Sequence, residues 1–292
     1  MRKLLPIIVL VALVILAVGV VTFISAVRTP TVREAQRLKI HFLDVGQGDC
    51  ILLQTPDGRN VLVDAGSEAS ADEVLSYLVR NGLGRIDVLV ITHPHSDHVG
   101  GLPKILERFG VSKVVDPGYP CESQVYKDAL SIIESRRIDY KLAAKCRTLH
   151  IGRDVDLEIL WPPDDYSPEG ESGLDNGSVV MRVEYGDVSL LLTGDIEREA
   201  EGRLLAARQD FRCTVLKVAC HGGGDSTSNE FVQVARPDYA VISAAADDAS
   251  GRPADAVLKR LKAAGARIFR TDENGTIVFT TDGRKVQVAA ER

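Results

Sequence analysis

Three imidazoles and a carboxylate fall within six positions at His93-Pro94-His95-Ser96-Asp97-His98, directly after the apolar run Ile86–Thr92. Buried without partners such a cluster is costly, whereas zinc binds this set of N and O donors. In an extended loop alternate side chains point the same way, so His93 and His95 can share one ion. Asp97 and His98 can then turn towards a second. A lone histidine is more often a satisfied polar side chain than a ligand; four donors at this spacing reverse that reading. Gly100 and Gly101 follow, and are expected to let the backbone swing into the next helix. Two later strand ends supply matching donors. The run Val188–Thr193 ends in Gly194-Asp195, and Thr214–Ala219 ends in Cys220-His221-Gly222-Gly223-Gly224. Each is weak alone, and Val63-Asp64-Ala65-Gly66 is weaker still, because a strand-end Asp often merely caps a loop.

These donors need strands to carry them. Alternating or continuous apolar runs predict strands at 39–45, 50–55, 60–65 and 86–92 in the first half. In the second half they predict strands at 157–161, 179–185, 188–193, 214–219, 239–243, 267–270 and 276–280. Helical periodicity marks 71–81, 102–109, 196–207, 229–235 and 254–264. Two β-rich halves with helices between strands predict an α/β protein, two sheets packed together with helices outside. The short loops at strand ends are where chemistry belongs.

The whole chain of 292 residues carries a formal net charge of −6, which excludes a basic nucleic-acid coat or a polybasic membrane-surface binder. That average hides a split: residues 1–40 carry +5 and residues 41–292 carry −11. Leu4 to Val27 has no charged side chain and follows Arg2 and Lys3. As a helix it would run roughly 36 Å, enough to cross a hydrocarbon core of about 30 Å. Residues 1–28 are therefore expected to be a retained signal anchor crossing the membrane through residues 4–27. Residues 29–37 form a polar linker, and 38–292 one catalytic domain. Short basic heads before terminal apolar runs usually direct export, which puts that domain outside the cytoplasm on a single-pass cell-membrane protein. Five cysteines cannot all pair with one another; Cys121 with Cys146 is a candidate bridge, and buried free thiols are the alternative.

Read together, Asp64-Ala65-Gly66, His93-x-His95-x-Asp97-His98, Gly194-Asp195 and His221 resemble the metallo-β-lactamase superfamily over essentially all of Leu38–Arg292. The resemblance implies a four-layer αββα sandwich with a two-metal site at one edge of the sheets. Carried over by position, His93 and His95 hold the first ion, while Asp97, His98 and His221 hold the second. Asp195 bridges them, and Asp64 orients the ligand loop from behind. A narrower likeness lies in His41-Phe42-Leu43-Asp44-Val45-Gly46-Gln47-Gly48-Asp49, in Leu192–Glu197 and in the loop His221–Ser228. These are similar to the hydrolase domain of ComEC competence proteins, which import transforming DNA and whose exterior hydrolase domain is thought to degrade the strand left outside. Only the catalytic module is implied here, not competence.

Two departures stand out. Superfamily members usually place a further His for the first ion between the second and fourth motifs. His150 is the only His in that interval and comes too early. The expected place reads Leu174-Asp175-Asn176-Gly177-Ser178, so Asp175 or Asn176 completes the first site, or water does; manganese then becomes conceivable beside zinc. Cys220 stands where the subgroup commonly has a His, and reads as a buried spectator or a softer ligand.

The expected cofactors are thus two divalent cations, and the reaction implied is attack of a metal-bridging hydroxide on a phosphodiester, DNA foremost, with Asp97 and Asp195 as the catalytic carboxylates. Ser226, Thr227 and Ser228 follow the glycine loop and precede a helix, where they either contact a phosphate or cap the helix. Two alternatives keep the same residues: a hydrolase of a small ester, lactone, phosphorylated headgroup or β-lactam, and a metal-binding scaffold that has lost turnover. No serine is paired with an unclaimed histidine in a nucleophile elbow, and Gly46-Gln47-Gly48 is too short for a nucleotide-binding loop.

Overall fold

The structure, a computed structural model, describes residues 37–145 and 148–292. The expected anchor, all but the last residue of the linker, and Cys146 lie outside the described residues. Among the described residues no helix is long and apolar enough to cross a membrane. Cys50, Cys121, Cys213 and Cys220 form no disulfide with one another.

The first half runs β1 (Leu38–Phe42), β2 (Ile51–Gln54), β3 (Asn60–Val63), α1 (Ala71–Arg80), β4 (Arg85–Ile86), β5 (Val88–Val90), α2 (Ser96–Val99) and α3 (Leu102–Arg108). It continues through β6 (Gly110–Val111), β7 (Lys113–Asp116), α4 (Gln124–Ser135) and β8 (Asp139–Leu142). The second half runs β9 (Thr148–Ile151), β10 (Val155–Trp161), α5 (Gly170–Asn176), β11 (Val180–Tyr185), β12 (Val188–Leu192), α6 (Arg198–Ala206) and β13 (Val215–Lys217). It ends with α7 (Asn229–Ala235), β14 (Tyr239–Ile242), α8 (Asp255–Ala263), β15 (Arg267–Arg270), α9 (Thr271–Asn274), β16 (Ile277–Thr281) and β17 (Val286–Ala290).

Eight strands form one sheet in the order β17-β16-β1-β2-β3-β5-β7-β8, and seven form another in the order β15-β14-β13-β12-β11-β10-β9. Side chains alternate across each sheet, so a strand buried on both faces feeds two cores. Ile51 and Leu53 of β2, with Val61 and Val63 of β3, point between the sheets, where they meet Leu157, Met181, Leu190 and Val215. Leu52 and Leu62 point the other way, onto Val74 and Leu78 of α1 and Ile105 of α3. The second sheet repeats the arrangement, with Leu191, Leu216 and Ala240 facing Leu204 of α6, Phe231 of α7 and Val257 of α8. The result is helices, sheet, sheet, helices. Most expected elements are present within a residue or two, although the expected strand 86–92 is two short strands, β4 and β5.

The parallel pairs fix where the site lies. β3 beside β5 aligns Val63 with Val90, so Asp64 and the loop after Ile91 leave the sheet together. β12, β13 and β14 are also parallel neighbours, so the segments starting at Thr193, Val218 and Ser243 emerge side by side. The two edges touch: the Val179 N–H donates to the Thr92 carbonyl at 2.9 Å. Ligands in α/β sheets gather beyond the carboxyl ends of parallel strands, and both sheets supply such ends here.

Candidate metal centre

His93, His98 and His221 are each buried, and each is anchored through Nδ1. His98 Nδ1 lies 2.8 Å from Asp64 Oδ2, and an ionised carboxylate only accepts, so the ring donates from Nδ1. Asp64 also takes the Thr92 hydroxyl at 2.6 Å and the Thr92 N–H at 2.8 Å, tying the loop's first residue to its last. Thr92 Oγ1 gives its proton to Asp64, so it accepts from His93 Nδ1 at 3.1 Å; Ser178 Oγ lies 3.2 Å from the same nitrogen. His221 Nδ1 donates to the Ser243 carbonyl at 3.0 Å. All three rings are thereby held with Nε2 turned inward. Those three Nε2 atoms are buried without a hydrogen-bond partner.

Carboxylates complete the cluster. Asp195 Oδ2 lies 3.0 Å from His221 Nε2 and 3.5 Å from His98 Nε2. Asp97 Oδ2 lies 3.5 Å and 3.9 Å from the same two nitrogens. Asp175 Oδ1 is 2.8 Å from His95 Nδ1 and 3.4 Å from His93 Nε2. Donors about 2.0–2.2 Å from a tetrahedral ion stand about 3.4 Å apart, so these separations suit bound cations. The donors fall into overlapping sets: His93 with His95 and Asp175, Asp97 with His98 and His221, and His93 with His98 and Asp195. Orphaned imidazole nitrogens facing carboxylate oxygens fit a divalent metal.

The charges reflect that crowding. Burial, then the neighbouring His98, keeps the His93 pKa well below its ordinary value. Burial opposes the imidazolium of His221, yet Asp195 overrides it and pushes that pKa up to about 9. Asp195 itself is buried, but His221, His98 and Lys217 hold its carboxyl well below the carboxylate range. Asp195 stays ionised because cations surround it.

Two choices left open by the sequence are resolved in geometry. Asp175 faces the histidines, whereas Asn176 faces away: its Oδ1 accepts the N–H groups of Glu197 and Ala200, at 3.0 Å and 3.1 Å, and so caps α6. His150 is exposed on β9 and pairs with Asp156 instead. Cys220 is buried, and burial raises its thiol to about 12. Of the two readings of Ser226, Thr227 and Ser228, the hydrogen bonds fit helix capping and bracing of the turn. The Glu201 carboxylate accepts the backbone N–H groups of Thr227 and Ser228, Ser226 Oγ donates to the Ala219 carbonyl at 2.8 Å, and Ser228 Oγ caps Phe231. Thr227 Oγ1 is enclosed without a partner. The segment braces the turn, and its backbone N–H groups at Thr227 and Ser228 are already engaged. Gly100 and Gly101 avoid a Cβ clash at the entry to the next helix. Both have ordinary helical backbone angles, and their missing side chains matter because Glu68 N and the Ala65 carbonyl pack directly against them.

Three contributors escaped the sequence reading. Lys217, buried in β13, places Nζ 2.5 Å from Asp49 Oδ2, 3.3 Å from Asp195 Oδ1 and 3.1 Å from the Gly194 carbonyl. Its signal was a lone cation inside the apolar run Thr214–Ala219. Asp49 belongs to the turn Gly46–Asp49, whose Gly48 has φ +119° and would, with a Cβ, overlap the Asp97 carbonyl oxygen. Glu171 Oε2 lies 2.8 Å from His95 Nε2, four residues before Asp175 on α5.

The comparisons with known proteins agree with this geometry. A family model described as the metallo-beta-lactamase superfamily matches residues 43–246. ComE operon protein 3 of Bacillus subtilis is 30% identical over 266 residues, 84% of this chain and 33% of that protein. Competence protein ComA of Neisseria gonorrhoeae is 32% identical over 241 residues, 81% of this chain and 31% of that protein. The chain thus spans about a third of the length of these curated relatives. The metallo-beta-lactamase fold protein YhfI of Bacillus subtilis superposes with a TM-score of 0.54 at 14% identity, covering 84% of this chain and 99% of that one. That likeness is one of fold.

Proposed function

The chain belongs to the metallo-beta-lactamase superfamily, and we propose that within it the protein is a two-metal phosphodiesterase, foremost a DNA nuclease of the ComEC hydrolase-domain type. The observation that carries the proposal is the set of buried imidazole nitrogens and carboxylates converging from both sheets, with the Nε2 atoms of His93, His98 and His221 lacking a hydrogen-bond partner. His93, His95 and Asp175 would hold one ion, Asp97, His98 and His221 the other, with Asp195 between them. When bound, zinc or manganese ions would lower the pKa of a shared water and offset charge building on the transferring phosphoryl group.

The protein's own part is to fix that arrangement. Asp64 sets the tautomer of His98, Ser243 that of His221, and Thr92 with Ser178 that of His93, which leaves each Nε2 lone pair free. Lys217 holds Asp195 Oδ1, so that Oδ2 is the oxygen offered to the histidines. Competence in the name of the Neisseria gonorrhoeae relative supports DNA as the substrate class. The apolar run 4–27 would hold the protein at the cell membrane with residues 38–292 on the outer side. Protease shaving of intact cells tests that placement: release of the domain supports it, and full protection until lysis overturns it.

Metal analysis of purified protein, followed by a substrate panel, tests the activity. Two equivalents of metal and cleavage of single- or double-stranded DNA are expected with zinc or manganese. Intact DNA beside a cleaved lactone or β-lactam would reject the nuclease reading. Two bound ions with no cleavage of any substrate would point to a scaffold.

A further inference from the structure

Residues 41–292 carry −11, so a phosphate approaching this site meets a repulsive field unless a local cation offsets it. Lys217 is buried and held by Asp49 and Asp195. Arg260 is engaged too, its guanidinium donating to the carbonyls of Gly224, Ser226 and Thr227. Arg252 is different.

Arg252 lies on the segment between β14 and α8, which packs against the turn that presents His221. The Ala254 N–H donates to the Gly222 carbonyl at 2.9 Å, and Pro253 fills the space beside Gly222. Arg252 Nε is 3.6 Å from the point where Gly223 would carry a Cβ, and Cys220 Sγ is 3.3 Å from that point. The guanidinium therefore stands beside the turn, next to Cys220 and against Gly223, two residues along the chain from His221. The side chain is half-buried. Its backbone N–H reaches Asp248 Oδ2 at 3.2 Å, yet among the described residues its guanidinium has no ion-pair or hydrogen-bond acceptor. A half-buried cation with unused donors, packed against the turn that carries a ligand histidine, suits an anion arriving from solvent.

We propose that Arg252 contacts a non-bridging phosphate oxygen of the substrate and selects anionic diesters over neutral esters. The guanidinium can present two parallel N–H donors to such a group, a geometry that lysine lacks. The proposal rests on the phosphodiester reading above.

The test uses the full chain with zinc or manganese, as wild type, Arg252→Ala and Arg252→Lys. Hydrolysis of bis(p-nitrophenyl) phosphate is compared with that of p-nitrophenyl acetate. Binding of a labelled single-stranded oligonucleotide with cleavage-resistant phosphorothioate linkages is followed by fluorescence anisotropy across salt concentrations. Arg252→Ala should raise the diester KM and the oligonucleotide Kd about tenfold, with kcat within about threefold. Arg252→Lys should lie between, and the salt dependence of binding should fall by about 0.7 in log–log slope. Diester hydrolysis by wild type with unchanged KM and Kd in Arg252→Ala would overturn the role of Arg252 and leave the phosphodiester reading standing. Absence of diester hydrolysis by wild type carrying its metal would reject that reading and this proposal with it. Loss of metal or a lower melting temperature in both variants would assign Arg252 to holding the turn, and would overturn the proposal as well.

Discussion

Residues 93–98 bring four donors on one loop, whereas the second half of the molecule brings Asp175, Asp195 and His221 from three separate segments. The first arrangement leans on a shared anchor: Asp64 holds the Thr92 N–H, the Thr92 hydroxyl and His98 Nδ1 at once. The second needs an anchor for every donor. Asp175 depends on the position of α5, and Asp195 on the Ser178 hydroxyl, which its N–H reaches at 3.0 Å, and on Lys217. His221 depends on the Ser243 carbonyl and on left-handed backbone at Cys220 and His221, with φ of 48° and 53°. Such angles are unusual outside glycine and persist only where surrounding contacts enforce them. A ligand set can thus be compact in sequence and supported cheaply, or dispersed and supported residue by residue.

The largest break in this comparison should come at Asp195, where the two halves meet. Asp195→Ala is expected to lower activity by at least about a thousandfold and to release metal, because several kcal/mol of charge stabilisation depend on the ions. Turnover assays with metal analysis check it; full metal content with retained activity would remove Asp195 from the centre. Next is Lys217, the buried anchor of the dispersed half. Lys217→Met leaves Asp49 and Asp195 without their shared cation and should destabilise the metal-free protein by about 3–5 kcal/mol. Denaturant unfolding measures this, and adding Asp49→Asn should recover part of the loss. A single variant as stable as wild type would show that the second half needs no such anchor.

A third prediction separates the stability of the first sheet from its ligand loop. His41 on β1 is buried, with Nδ1 2.8 Å from the Tyr77 hydroxyl, and burial followed by Lys39 lowers its pKa to about 4. Between pH 6.5 and 4 the unfolded chain therefore binds a proton at this residue that the folded chain refuses. Wild type loses stability as pH falls through that window, and His41→Gln should lose less, by up to about 3 kcal/mol. Parallel pH-stability curves for the two proteins would contradict it. The smallest effect is expected at Asp64, the anchor of the compact half. Asp64→Asn keeps the shape but weakens the hold on His98, which should reduce metal affinity by about 10–100-fold. Competition with a chelator measures it, and a loss of affinity equal to that of Asp195→Ala would erase the distinction between the halves.

The same contrast governs what was legible in the sequence. His93 to His98 announce themselves because four donors crowd six positions. Asp175 and Asn176 could not be told apart, since neighbours on a helix point about 100° from each other. Only the phase of α5 aims one at the histidines and the other at α6. That helix was itself illegible: GESGLDN has two glycines and one leucine, and its position depends on tertiary contacts. β8 and β17 were missed for a related reason, since both are edge strands with largely exposed side chains and so lack an apolar run. Most central strands, buried on both faces, were easier to read, although the interior strand β7 and the helix α4 were missed as well.

The sheet order also governs how the chain matures. β1 lies inside the first sheet, and one of its edges is filled by β16, which pairs Phe42 with Ile277. A nascent chain presents β1, β2 and β3 early, with an open hydrogen-bonding edge on an apolar strand. At about 5–20 residues per second, the roughly 240 residues between the partners take on the order of ten to fifty seconds to synthesise. Throughout that interval the edge can template pairing with another chain. The hairpin of β16 and β17 therefore acts as a late closure that ends the protein's most aggregation-prone stage.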